Sequence, residues 1–346
     1  CLVGSEMCIR DRMNPLTLII INAAVIILLQ SGAIRVNSGS LTQGQVVALY
    51  NLMAQILVEL IKMANLFITI TKSLACADRV AAVMQLDSGA HGGNKLPANG
   101  SPCGSVEFKN VSFEYKNAGA EALFDISFFA KPGQTVGIIG GTGSGKSTLV
   151  NLVPNFYNAT KGQVLIDGVN ADEYDRAALL SAVSVVPQKA VLFEGTIRSN
   201  LLMGNPNASE AELFSALETA QAAEIVRTKP NGIDEPVLRG GSNFSGGQKQ
   251  RLSIARALVH GGRILILDDS ASALDFATDA KLRAAIRKLS PAPTTFIVSQ
   301  RAASVMFADF IIVLDEGRAV GQGTHEELLR NCAVYRCLLY TSPSPR

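Results

Sequence analysis

Eight residues, Gly140-Gly-Thr-Gly-Ser-Gly-Lys-Ser147, satisfy the spacing G-x-x-x-x-G-K-[ST]. Glycines at this density let successive backbone N–H groups curl around an anion, and the lysine reaches the β and γ oxygens of a nucleotide. Gly140, Gly141, Thr142, Gly143, Ser144, Gly145, Lys146, Ser147 and Thr148 are therefore candidate phosphate-binding residues. The Ser147 hydroxyl is suited to Mg²⁺, and a helix opening there adds its positive dipole end. A pair of carboxylates, Asp268 and Asp269, follows the apolar run Ile264-Leu-Ile-Leu267. The first suits Mg²⁺, a hard cation that takes oxygen ligands; the second would orient or deprotonate an attacking water. Together these residues point to binding a nucleotide's phosphates with Mg²⁺ and to attack by water.

A third segment, Asn243-Phe-Ser-Gly-Gly-Gln-Lys-Gln-Arg251, places Ser245 three residues before Gln248. That spacing is a capping box and predicts a helix start. Gly246 and Gly247 after the cap would leave backbone N–H groups open to an anion.

Positioning such residues requires strands that end beside one another. Short continuous apolar runs at 136–139, 183–186, 264–267, 296–298 and 311–314 alternate with helical stretches. Such runs are strands buried on both faces of a largely parallel sheet, an α/β fold. Further strands are expected over 106–113 and 126–129.

The rest of the chain has a different solvent. Charged residues make up 17%, apolar residues 48%, and mean hydropathy is +0.25. These values exclude a disordered chain and suggest that part of it sits in lipid. Residues 16–34 carry no charge, enough at ~1.5 Å per residue to cover most of a ~30 Å hydrocarbon core. A second helical pattern runs from about 45 to 86, apolar to 70 apart from Glu59 and Lys62, with Lys72, Asp78 and Arg79 marking a cytoplasmic exit. Glu59 and Lys62 are expected to pair with each other on one helix face. Residues 87–104, dense in Gly, Pro, Asn and Ser, read as a linker. A net charge of +2 from 31 basic and 29 acidic residues, with no tryptophan, gives no basic surface for nucleic acid. Cys76, Cys103 and Cys332 are scattered, as are His91, His260 and His325, so neither disulfides nor a zinc site is expected. The two ends are complementary: DNA that encodes 337–346 also encodes 3–11 on its opposite strand in a shifted frame. We therefore expect 1–12 and 337–346, with Cys1, Cys8 and Cys337, to be translated sequencing adaptor. The natural segments are then 13–86, membrane, and 105–336, soluble.

With these motifs in order, residues 45–336 resemble an ATP-binding cassette (ABC) exporter: its last two membrane helices followed by a nucleotide-binding domain. The resemblance implies a P-loop α/β core with an antiparallel β subdomain and a helical subdomain. It implies that Tyr115 stacks on adenine, and that Gln188 touches Mg²⁺ and the attacking water and relays to the membrane helices. It further implies that Ser245–Gln248 close on ATP held by a second half-transporter, and that Asp275 lies in the loop linking two ATP sites. The chain departs from the family at two positions. Asp269 stands where glutamate is usual, and Gln300 where a histidine is usual, so an amide replaces a titratable ring. Asp269, Gln300 and Gln188 thus form a catalytic set that should turn over slowly. Phe244 stands where leucine is usual. The expectation is a heterodimer in the cell membrane, exporting a small molecule, lipid or peptide; a soluble or regulatory ABC ATPase is the alternative.

Overall fold

A computed structural model describes residues 2–85, 93–97, 103–116, 119–270 and 272–341. The chain divides into two compact units, 1–87 and 88–346.

The first unit is two helices, Leu2–Asn37 and Gln43–Met84. Long apolar stretches in each can sit in lipid only with their backbone hydrogen bonds made within a helix. Among the described residues, the spans long and apolar enough to cross a membrane are Ile19–Asn37 and the Gln43–Met84 helix, with mean hydropathies of 2.0 and 1.6. Thr42 starts the second helix as a capping box, its amide donating to Gln45 Oε1 at 2.9 Å. The first helix exceeds the expected 16–34 at both ends, and the second starts at Gln43, two residues before the expected 45. The first runs back through the residues read as adaptor, because helix propagation adds one hydrogen bond per residue once a nucleus exists. The second ends at Met84 rather than 86. Lys62 donates to Glu59 at 2.8 Å, the expected pair.

The second unit is built on a six-stranded sheet. From edge to edge its strands are Arg318–Gly323, Phe310–Asp315, Thr135–Gly140, Thr294–Ser299, Ile264–Asp268 and Val183–Val186. All run parallel except Arg318–Gly323, which forms a hairpin with Phe310–Asp315. The five expected apolar runs are the five parallel strands, buried on both faces. A four-stranded antiparallel sheet (Glu121–Ala130, Val106–Glu114, Lys161–Ile166, Val169–Asn170) lies beside it. The two sheets share a core in which Phe108 stacks on Phe128 with centroids 4.5 Å apart, and Phe128 meets Phe296 edge-on at 6.4 Å. A second core gathers the helices Ile197–Leu202, Glu210–Thr219 and Gly246–His260 against the opposite face. The last helix, Ala333–Thr341, passes through the expected boundary at 336, and Leu338 and Leu339 pack on this core.

The linker is docked where it is described. Lys95 pairs with backbone of 173–175 through two hydrogen bonds of 3.0 and 2.8 Å, and its ammonium meets Glu173 at 2.8 Å. Gly and Pro exclude a helix there but not extension along a free backbone edge. Residues 86–92 and 98–102 lie outside the described residues. Entry into the second unit is pinned by Asp167, whose buried Oδ1 accepts from the amides of Gly104 (2.6 Å) and Ser105 (2.9 Å), with Arg263 3.5 Å from Oδ2. Truncation of Asp167 to alanine should cost about 2–3 kcal/mol, the scale for bonds to a buried charge. Asp167→Asn, which keeps an acceptor and tolerates the left-handed backbone, should cost less. Thermal unfolding of the two variants checks the order.

Candidate nucleotide site

Parallel strands present their carboxyl ends at one edge, where a ligand binds. Register brings Val298 opposite Asp268, Ser299 opposite Ile139, and Val186 opposite Leu267. The loops leaving these strands therefore meet: Gly140–Ser147, Gln188, Asp268–Asp269 and Gln300. From them Thr142, Gly143, Gly145, Lys146, Ser147, Gln188, Asp268, Asp269 and Gln300 line a cavity of about 520 Å³, together with Tyr115 and Thr148.

The phosphate loop turns into the Lys146–Asn151 helix through Gly145, whose φ is +94°. A Cβ there would lie 2.8 Å from Leu123 and 3.0 Å from the Ala122 carbonyl, so both conformation and space require glycine. Gly140, Gly141 and Ser144 form the inner side of the loop. Lys146 Nζ donates to the Gly140 carbonyl at 2.9 Å and to that of Gly141, and Ser144 Oγ donates to Gly141 at 2.9 Å. Burial lowers the Lys146 pKa, opposed by the charges of Asp269 and Asp268. An anionic phosphate oxygen is a stronger partner for that ammonium than a neutral carbonyl.

Ser147 Oγ donates to Asp268 Oδ1 at 3.0 Å, joining the loop helix to the Ile264–Asp268 strand. Gln188 Nε2 donates to Asp269 Oδ2 at 3.3 Å. Asp269 has φ +44° and anchors its amide on the Val298 carbonyl at 3.0 Å. Burial raises both carboxyls above the usual aspartate range; Ser147 opposes the shift at Asp268, and Gln188 opposes it at Asp269. No cluster of three or more His, Cys, Asp or Glu is present among the described residues. A hydroxyl, one buried carboxylate and an amide instead suit Mg²⁺ delivered with a nucleotide, whose phosphates and waters supply the other ligands. Ser147, Asp268 and Gln188 would hold it, and when bound it would neutralise charge developing on the transferred phosphoryl group.

Ser245, Gly246, Gly247, Gln248 and Asp275 do not line this cavity. Ser245 caps the Gly246–His260 helix, accepting from the Gln248 amide at 3.3 Å while Gln248 Oε1 accepts from the Ser245 amide at 3.0 Å, the expected box. Asp275 caps the Phe276–Arg287 helix through the Thr278 amide at 3.0 Å. Five wall residues escaped the sequence reading: Glu121, Ala122, Val298, Glu316 and Gly317. A usable signal existed for one pair. Asp315 faces Arg318 across a two-residue loop, and Glu316 and Gly317 have φ of +44° and +76°. Such a turn, with positive φ at both central residues, is a hairpin signature that X-Gly between apolar strands can announce.

A phosphate loop and a buried strand ending in Asp268 form a P-loop nucleotide site, with a capped glycine helix in a separate place. Residues 123–272 match the ABC transporter family model. It is 40% identical over 328 residues to an uncharacterized ABC transporter ATP-binding protein of Mycobacterium tuberculosis, covering 93% of this chain and 56% of that one. It is 38% identical over 299 residues to an ATP-dependent lipid A-core flippase of Xanthomonas oryzae pv. oryzae, covering 86% and 50%. Among solved structures it is similar to a bacterial Atm1-family ABC exporter with ATP bound, at 31% identity and a TM-score of 0.73, covering 92% of this chain and 56% of the other. The chain spans about half the length of the curated relatives it matches.

Mg²⁺ requires ionised carboxylate, whereas burial favours the protonated form of Asp268. Mg²⁺-dependent ATP binding should therefore weaken on acidification before pH reaches the ordinary aspartate value of 3.8. Asp268→Asn should weaken it about tenfold or more at neutral pH while sparing Mg²⁺-free binding, the loss scale of a ligating or supporting group. Calorimetric titration with and without Mg²⁺ at several pH values measures both.

Proposed function

We propose that this chain is the ATP-binding and membrane-spanning part of one half of an exporter, its ATPase unit lying on the cytoplasmic side of the cell membrane. ATP binding and hydrolysis would drive export of a small molecule, lipid or peptide. Two apolar helices preceding the ATPase unit support this reading, as do relatives named as a flippase and an exporter. A second half-transporter completes the machine. Ser245–Gln248 and Asp275 stand outside the chain's own phosphate cavity, and the helix start at Gly246 offers its N–H groups to ATP held elsewhere.

The partner differs from this chain. The observation that carries this is the pairing of Asp269 with Gln188 in a cavity where Gln300 replaces an imidazole. Lys146 and the loop amides grip the β and γ phosphates. Asp269 is the carboxylate available to accept a proton from water, and it is one methylene short of glutamate and engaged by an amide. Gln300 donates a hydrogen bond but acquires no charge against the γ-phosphate. Binding is therefore retained while hydrolysis is slow, and the fast site pairs this chain's Ser245–Gln248 with a partner phosphate loop.

In the co-purified transporter, Asp269→Asn should change turnover by less than about threefold, whereas Glu→Gln at the partner's equivalent position should lower it by about 10²–10⁴-fold, the range for general-base catalysis. Equal losses would refute the asymmetry. The double change Asp269→Glu with Gln300→His should instead raise single-turnover hydrolysis at this chain's own site.

A further inference from the structure

The outer wall of the cavity carries an aromatic cluster that phosphate chemistry does not use. Tyr115 follows the Val106–Glu114 strand and lines the cavity, and its hydroxyl shares a hydrogen bond with Thr148 Oγ1 at 3.0 Å. Its ring stands edge-on to Phe113, with centroids 4.7 Å apart and planes at 83°, and to Tyr157, at 5.3 Å and 81°. Phe113 and Tyr157 themselves meet at 5.5 Å. Phe113 is a buried core residue. Tyr157 is different: it is 41% exposed, it does not line the cavity, and among the described residues its hydroxyl has no hydrogen-bond partner. Its aromatic contacts are with Phe113 and Tyr115 alone among the described residues. Rotation of Tyr115 about its side-chain bonds would break the Thr148 bond and both edge contacts together. Freezing a ring before its ligand arrives removes part of the ordering cost of binding.

We propose that Tyr157 is a positioning residue for the nucleobase: its ring holds Tyr115 in the orientation on which adenine stacks. The inference rests on Tyr115 being the adenine platform. Tyr157 then governs affinity for a triphosphate that carries a base and leaves the grip on the phosphate chain unchanged. A merely structural tyrosine beside the loop helix would affect both alike.

Equilibrium binding of ATP and of inorganic tripolyphosphate to the full chain, with Mg²⁺, separates the possibilities. Tyr115→Ala should weaken ATP about five- to a hundredfold, the range for base–aromatic stacking, and leave tripolyphosphate unaffected. Tyr157→Leu should weaken ATP about two- to tenfold, matching one aromatic pair, again with tripolyphosphate unaffected. Tyr157→Phe, which keeps the ring, should bind ATP normally, and Tyr157→Leu should add nothing in a Tyr115→Ala background. Equal loss of ATP and tripolyphosphate in Tyr157→Leu overturns the proposal, as does an undiminished effect on top of Tyr115→Ala. Loss in Tyr115→Ala with none in Tyr157→Leu overturns the positioning role while the platform stands. No loss in Tyr115→Ala removes the platform, and the role of Tyr157 with it.

Discussion

The contact of Ser147 with Asp268 at 3.0 Å is the joint on which the ATPase unit depends. It ties the first turn after the phosphate loop to the end of a strand two places away in the sheet. That distance is bridged because parallel strands, each buried on both faces, end at a common level. A slip of one residue in any of them would turn the side chains at its end to the opposite face and disperse the site. The two aromatic and aliphatic cores serve this registry: one fixes the antiparallel sheet, with Tyr115 at its margin, and the other fixes the capped helix that begins at Gly246.

Burial at that joint explains the electrostatics. Desolvation lowers the pKa of Lys146 and raises those of Asp268 and Asp269, so each charged form is held at a cost that a polyanion with its cation can relieve. The site is thus shaped for a ligand bearing both signs. Proton abstraction is a separate matter. On the proposed asymmetric reading, a carboxylate engaged by Gln188 and an amide at Gln300 serve binding better than they serve water activation.

Much of this is legible in the sequence, for particular reasons. The P-loop, Asp268 and the Ser245–Gln248 box are local: a few adjacent residues contain their own geometry. The five parallel strands announced themselves because double-sided burial leaves runs such as Ile264–Leu267 without polar residues. What stayed hidden depends on distant partners. Lys161–Ile166 has an exposed first half and only three consecutive apolar residues, and it is defined as a strand by pairing with Val106–Glu114. Arg318–Gly323 carries glycines and alternates in burial, so no apolar run marks it. Tyr157 gains a role only when the chain folds back to bring it against Tyr115. Lys95, in a glycine-rich stretch, docks because an edge is free to receive it.

Rapid-quench measurement of ATP and ADP bound to each subunit of the assembled transporter, after mixing with labelled ATP, tests the central claim most directly. The account predicts that this chain retains intact ATP through many turnovers while ADP forms at the site that its Ser245–Gln248 completes. Conversion to ADP at the same rate on both subunits would contradict it.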